Sequence, residues 1–178
     1  GATVLNLFAY TGGFSLYAAR GGAGLVVSQD IAQPALAAAL RNFKLNAADA
    51  NVAAAEHELL LGDAFITLKE LHRSRRMFDV VVIDPPSFAN NQTQVARALA
   101  AYGRLVRRGL GVLRPGGTLV MCSCSSRVPA ADFYAAVHKA ALSVARPLRK
   151  IERTGHASDH PIAFPEGAYL KCLLATVP

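Results

Sequence analysis

Apolar and polar positions alternate along this chain in two rhythms. Thr3 to Phe8 is an apolar run of strand length, Gly24 to Ser28 and His57 to Leu61 also read as strands, and Phe78 to Ile83, rich in β-branched residues, reads as a fully buried one. Between them the apolar residues recur at helical spacing. A short helix is expected after Gly12 and Gly13, a second carries Leu36, Leu40 and Phe43 behind Pro34, and a third carries Ala64, Leu68 and Leu71. Proline suits the first turn of a helix because its missing N–H has no partner there anyway. The longest stripe, Val95, Leu99, Tyr102, Val106, Leu110 and Leu113, predicts an amphipathic helix stopped by Arg114-Pro115-Gly116-Gly117. A strand from Thr118 to Ser123 follows, then a helix with Phe133, Val137, Ala141 and Val144 behind Pro129. The tail, with a strand from Tyr169 to Thr176, reads as a closing hairpin. This alternation predicts an α/β fold: one domain over residues 1–178, a doubly wound, mostly parallel sheet and a C-terminal antiparallel hairpin.

Composition narrows the class. The chain has 178 residues, 52% of them hydrophobic, enough to bury a sizeable core. No apolar run reaches the roughly 18 residues of a membrane span, and no charged-then-apolar leader precedes the first strand, so a soluble cytoplasmic protein without a membrane partner is expected. Three cysteines, Cys122, Cys124 and Cys172, are an odd set without framework spacing, which fits a reducing compartment without disulfides. The net charge of +7 suits a partner rich in phosphate. Arg73, Arg75 and Arg76 fall in a loop, and Arg104, Arg107 and Arg108 share a helix face; either set reads as a solvated face or as an RNA contact. Oligomeric state is left open. The chain enters its first strand almost at Gly1, so the domain is expected to be the core of a longer polypeptide.

In a doubly wound sheet, ligands bind beyond the carboxyl ends of the strands. Phe8-Ala9-Tyr10-Thr11-Gly12-Gly13 follows the first strand, and its paired glycines let backbone approach a ligand closely. The loop lacks the Gly-x-Gly-x-x-Gly dinucleotide pattern and the Lys-Ser/Thr phosphate cradle. Asp30 ends the second strand, about 20 residues beyond the glycines, where a carboxylate accepts from ribose hydroxyls. Asp63 ends the third and can take an adenine amine. Each aspartate alone is more often a helix cap than a ligand; together they point to a nucleoside-bearing cofactor without a diphosphate, which S-adenosylmethionine fits. The fourth strand ends in Asp84-Pro85-Pro86-Ser87-Phe88, a carboxylate on stiff, pre-shaped backbone. The next ends in Ser123-Cys124-Ser125 and brings a thiol to the same edge.

These segments, with Asp159-His160-Pro161 and Pro165-Glu166-Gly167-Ala168-Tyr169-Leu170-Lys171, closely resemble the bacterial 23S ribosomal RNA large-subunit cytosine-5 methyltransferase family over essentially the whole chain. The resemblance implies a class I, Rossmann-like catalytic domain whose upstream RNA-binding region is absent here, S-adenosylmethionine as cofactor, ribosomal RNA as partner and no metal. It implies that Phe8, Tyr10, Thr11, Gly12, Gly13, Asp30, Ile31, Asp63, Ala64, Asp84 and Pro85 hold the cofactor. Pro86, Phe88 and His160 are implied on the substrate side. Family members commonly carry Lys in place of Ser87 and Gly in place of Ser126, so substrate contacts there differ.

The implied chemistry needs these residue types. Carbon 5 of cytosine is a poor nucleophile until a thiolate adds to carbon 6, the role implied for Cys124. Asp84 would hydrogen-bond the ring as negative charge builds on it. The base that removes the carbon 5 proton is open among Asp84, His160 and Glu166. Cys122 and Cys172 read as small buried hydrophobes, and Cys122 with Cys124 lacks the further ligands of a zinc site. Two other functions stand beside this one: guanine ring-nitrogen methylation by a similar domain, against which Cys124 argues, and a non-catalytic RNA-binding module.

Overall fold

The computed structural model describes residues 1–159, 161–164 and 167–178. The described residues form a seven-stranded sheet in the order β3-β2-β1-β4-β5-β7-β6. Its strands are β1 (Thr3–Leu7), β2 (Leu25–Asp30), β3 (Glu56–Leu61), β4 (Phe78–Ile83), β5 (Leu113–Ser123), β6 (Arg149–Thr154) and β7 (Lys171–Thr176). The first five are mutually parallel, while β7 pairs antiparallel with both β5 and β6. The helices are α1 (Gly13–Arg20), α2 (Gln33–Leu45), α3 (Ala50–Ala54), α4 (Ala64–Arg73), α5 (Val95–Leu110) and α6 (Ala130–Leu142). No helix among the described residues is long and apolar enough to cross a membrane.

The expected doubly wound α/β architecture and closing hairpin are what the chain adopts. The larger core lies under α4, α5 and α6, where Leu5, Leu7, Val81, Ile83, Leu119 and Met121 of the sheet meet Leu68, Tyr102, Leu105, Val106, Phe133 and Val137. Tyr102 is fully buried because its ring packs edge-on to Phe133 while its hydroxyl meets Ser123 Oγ at 2.9 Å. A second core under α1 and α2 gathers Val4, Ala19, Val26 and Phe43.

Expectations at three places are corrected. Leu113 is not the end of a helical stripe but the first residue of β5, and Arg114 to Gly117 are a bulge inside that strand rather than a helix stop. Leu113 pairs with Phe78 and Thr118 with Val80, so the intervening residues are looped out. Gly116 has φ +77°, and a Cβ on Gly117 would lie 2.8 Å from the Asp79 carbonyl oxygen. The bulge is pinned by Arg114, 2.8 Å from Asp79, whose carboxylate also accepts from the Thr3 amide. These donors hold Asp79 well below the usual carboxylate range, at about 2. Val144 lies beyond α6, and β7 opens at Lys171 rather than Tyr169.

Candidate active site

All five parallel strands end on one edge, so the loops following β1 to β5 converge there. The loop after β1 is strained into shape: Phe8 (φ +58°), Tyr10 (φ +48°) and Gly12 (φ +81°) all sit in the left-handed region. Clusters of such residues mark ligand clamps. The loop rests on α2, since a Cβ on Gly12 would lie 2.8 Å from Ala39 Cβ and Asn42 Nδ2 donates to the Thr11 carbonyl at 2.8 Å. Gly13 opens α1, and a Cβ placed on it would have nothing within 4 Å, so its backbone can be approached closely.

Beneath the loop runs a buried polar chain. Asn6 Nδ2 donates to Ser15 Oγ at 2.9 Å, Ser15 and Ser28 hydroxyls meet at 2.7 Å, and Ser28 Oγ meets His57 Nε2 at 2.8 Å. The His57 ring stacks on Phe43 at 3.6 Å, and burial lowers its pKa to about 4, so the network holds a neutral imidazole. It ties β1, α1, β2 and β3 together under the candidate cofactor loop. Sequence patterning does not reveal it, because single serines and a histidine within strands carry no periodic signal.

Asp30 accepts the Tyr10 amide at 2.8 Å and the Ala32 amide at 2.9 Å, one on each oxygen, and each oxygen retains a lone pair for a further donor. Beside it Ile31 is 71% exposed, an apolar platform at the strand end. Asp63 caps α4, its Oδ1 accepting the Phe65 and Ile66 amides at 2.8 and 3.1 Å while Oδ2 takes no part in those bonds. Capping α4 therefore does not prevent Asp63 from accepting from a ligand as well. Ala64 is buried in the first turn behind it. Two carboxylates, an exposed apolar platform and an open glycine backbone, with no phosphate cradle, fit an adenosine-bearing sulfonium.

Asp84 follows β4 and Cys124 follows β5. The Cys124 thiol lies 3.9 Å from the Pro85 carbonyl oxygen. Burial raises the Asp84 pKa. Burial first, and the Asp84 charge second, raise that of Cys124, while Lys171 opposes the shift. The free site thus stores a proton on the thiol rather than a ready thiolate. Lys171, at the start of β7, is buried, and its Nζ donates to the Ser125 and Val128 carbonyls at 2.6 and 2.9 Å, closing the loop that carries Cys124. It ends the Pro165-to-Lys171 motif, yet no pattern in the sequence assigns it this role.

Pro85 is buried and Pro86 exposed. Phe88 turns inward, its ring 5.3 Å from Tyr102, and anchors the Asp-Pro-Pro loop against the core. Ser125 Oγ and Ser87 Oγ both donate to the Ala89 carbonyl at 3.2 Å and lock the two loops together. His160 and Glu166 lie outside the described residues. Of the arginines, Arg76 is engaged with Glu58, and Arg104 and Arg108 flank the Phe65 ring at 5.5 and 5.7 Å.

Comparison with known proteins identifies the family. The family described as S-adenosylmethionine-dependent methyltransferase matches residues 1–176. A ribosomal RNA large subunit methyltransferase from Deinococcus radiodurans is 44% identical over 173 residues, covering 97% of this chain and 41% of that protein. Ribosomal RNA large subunit methyltransferase I from Shewanella amazonensis is 43% identical over 180 residues, covering 99% and 44%. The chain therefore spans less than half the length of these relatives. Among solved structures, a putative SAM-dependent methyltransferase from Streptococcus mutans superposes with a TM-score of 0.83 at 29% identity, covering 99% of this chain and 45% of that one. A putative methyltransferase complexed with SAH gives 0.82 at 31% identity, with the same coverages.

Proposed function

For a chain that belongs to the S-adenosylmethionine-dependent methyltransferases, we propose that the methyl acceptor is carbon 5 of a cytosine in large-subunit ribosomal RNA, activated by covalent attack of Cys124. The observation that carries this reading is the thiol of Cys124 held at a strand end beside Asp84, with Lys171 behind it. The names of the relatives support the RNA class. The cofactor binds along Gly12-Gly13, Asp30, Ile31 and Asp63, and when bound it supplies an electrophilic methyl group at this edge.

The residues divide the work. Cys124 releases its proton to solvent, its thiolate adds to carbon 6, and the carbon 5–carbon 6 π pair moves into the ring toward the ring nitrogen. Asp84, whose proton burial favours, donates a hydrogen bond to the ring nitrogen where that charge collects. While Asp84 keeps its proton it sets no charge against the Cys124 thiolate, and Lys171 favours that thiolate. After carbon 5 is methylated, a base, with Asp84, His160 and Glu166 as the candidates, takes its proton, the electron pair returns to the carbon 5–carbon 6 bond, and Cys124 leaves as thiolate. The exposed arginines contribute phosphate contacts, and the region of the relatives beyond the matched part contributes the rest of RNA recognition.

RNA carrying 5-fluorocytidine tests the mechanism, because fluorine does not leave as a proton and the adduct persists. Mass spectrometry is expected to find the nucleotide on Cys124. Cys124→Ala is expected to lose adduct and product while keeping cofactor affinity. Full methylation by Cys124→Ala overturns the covalent mechanism and moves the reading to guanine ring-nitrogen methylation.

A further inference from the structure

The two cysteines that the methyl-transfer chemistry leaves unused lie face to face. Cys122 on β5 and Cys172 on β7 are direct register partners in the antiparallel pair. The Cys122 S–H donates to the Cys172 sulfur at 3.1 Å. Directly opposed residues of antiparallel strands have Cα atoms about 4.5–5.5 Å apart, inside the roughly 4.4–6.8 Å that a disulfide spans. Bringing the sulfurs to a bond of about 2.05 Å requires about 1 Å of movement, which side-chain rotation supplies without moving either strand.

The pair is also reachable. Both residues line a cavity of about 320 Å³ whose wall includes Phe14, Asp84, Thr154 and Leu170. Cys172 is the more exposed of the two, Cys122 the more buried. Among the described residues no group of three or more His, Cys, Asp or Glu side chains could hold a metal ion. The two thiols are unequal: the hydrogen bond lowers the pKa of Cys172 and raises that of Cys122. Such asymmetry divides a dithiol into an attacking and a resolving member.

We propose that Cys122 and Cys172 are a redox modification site that closes to a cross-strand disulfide on exposure to a low-molecular-weight disulfide, while Cys124 keeps its thiol. The Cys172 thiolate attacks one sulfur of the oxidant, forming a mixed disulfide and releasing one oxidant thiolate. The Cys122 sulfur then attacks Cys172, breaking the mixed disulfide and releasing the second oxidant thiol, which takes the Cys122 proton. The protein loses two hydrogens and the oxidant gains them as two thiols. Reduction by a dithiol reverses both steps. Cys124 is spared because its sulfur meets the Pro85 carbonyl, not another thiol.

This site stands whatever the methyl acceptor is, and its test does not measure methyl transfer. The folded protein is treated with oxidised glutathione, then denatured and alkylated, and the alkyl groups are counted by mass spectrometry. Uptake is expected to fall from three groups to one, placed on Cys124 by fragmentation, and to return to three after dithiothreitol. Cys122→Ser is expected instead to retain glutathione on Cys172, because the resolving thiol is gone. Three alkyl groups on the oxidised wild-type protein, or a cross-link that includes Cys124, overturns the proposal.

Discussion

Stability in mild acid follows from His57. Its imidazole is stacked on Phe43, bonded to Ser28 and desolvated, and its pKa falls from 6.5 to about 4. The unfolded chain binds this proton near pH 6.5 and the folded chain only near pH 4, so the stability contributed by neutral His57 is complete above 6.5 and is lost as pH falls toward 4. At about 1.36 kcal/mol per pH unit the shift corresponds to on the order of 3 kcal/mol, which solvent screening of this part-exposed ring cuts to roughly half, with about 1 kcal/mol gone at pH 5. His57→Gln keeps a polar group for Ser28 but does not titrate. At pH 8 the variant is expected to be less stable by about 1 kcal/mol, from the lost ring stacking. By pH 5 that deficit closes, because only the wild type loses stability to protonation of this site. Urea unfolding followed by circular dichroism at pH 8, 7, 6 and 5 measures the difference, with carboxylate effects common to both proteins cancelling. Parallel stability curves for the two proteins, or an NMR titration placing His57 near 6.5, would refute the argument.

Two further predictions concern the candidate cofactor site. Gly12→Ala should destabilise the fold by about 2–3 kcal/mol in urea unfolding, combining a left-handed backbone with a Cβ pressed against Ala39; a change below about 0.5 kcal/mol would show that the loop yields freely. Asp30→Ala should weaken S-adenosylmethionine binding by roughly ten- to a hundredfold in calorimetry, the loss of one charge-assisted hydrogen bond, and unchanged affinity would remove Asp30 from the site.

Much of this organisation is legible in the sequence because it rests on period and punctuation. The strands β1, β2 and β4 are short apolar runs, and α5 carries a broad apolar stripe, so their places follow from patterning. The strand-end positions of Asp30, Asp63, Asp84 and Cys124 then follow from topology. What escapes depends on partners distant in the chain. Strand β6 is exposed at all six positions, so no burial pattern marks it; only β7 makes it a strand. Arg114-Pro115-Gly116-Gly117 has the composition of a helix stop, and its role as a bulge is set by Phe78 and Asp79 across the ladder. Lys171 looks like an ordinary strand-start lysine until β7 is placed beside β5, where its ammonium meets two carbonyls of the Cys124 loop.

The insertion of β7 between β5 and β6 has a consequence for biosynthesis. Cys122 and its partner Cys172 are 50 residues apart, an interval that translation at roughly 5–20 residues per second covers in about 3–10 s. Throughout that time β5 is an outer strand with an unpaired row of amides and carbonyls, of the kind that invites pairing with another chain. The loop bearing Cys124 waits equally long for the lysine that closes it. A nascent chain therefore carries a nearly finished sheet with an unfinished candidate site, and chaperones that shield strand edges have a long opportunity at β5.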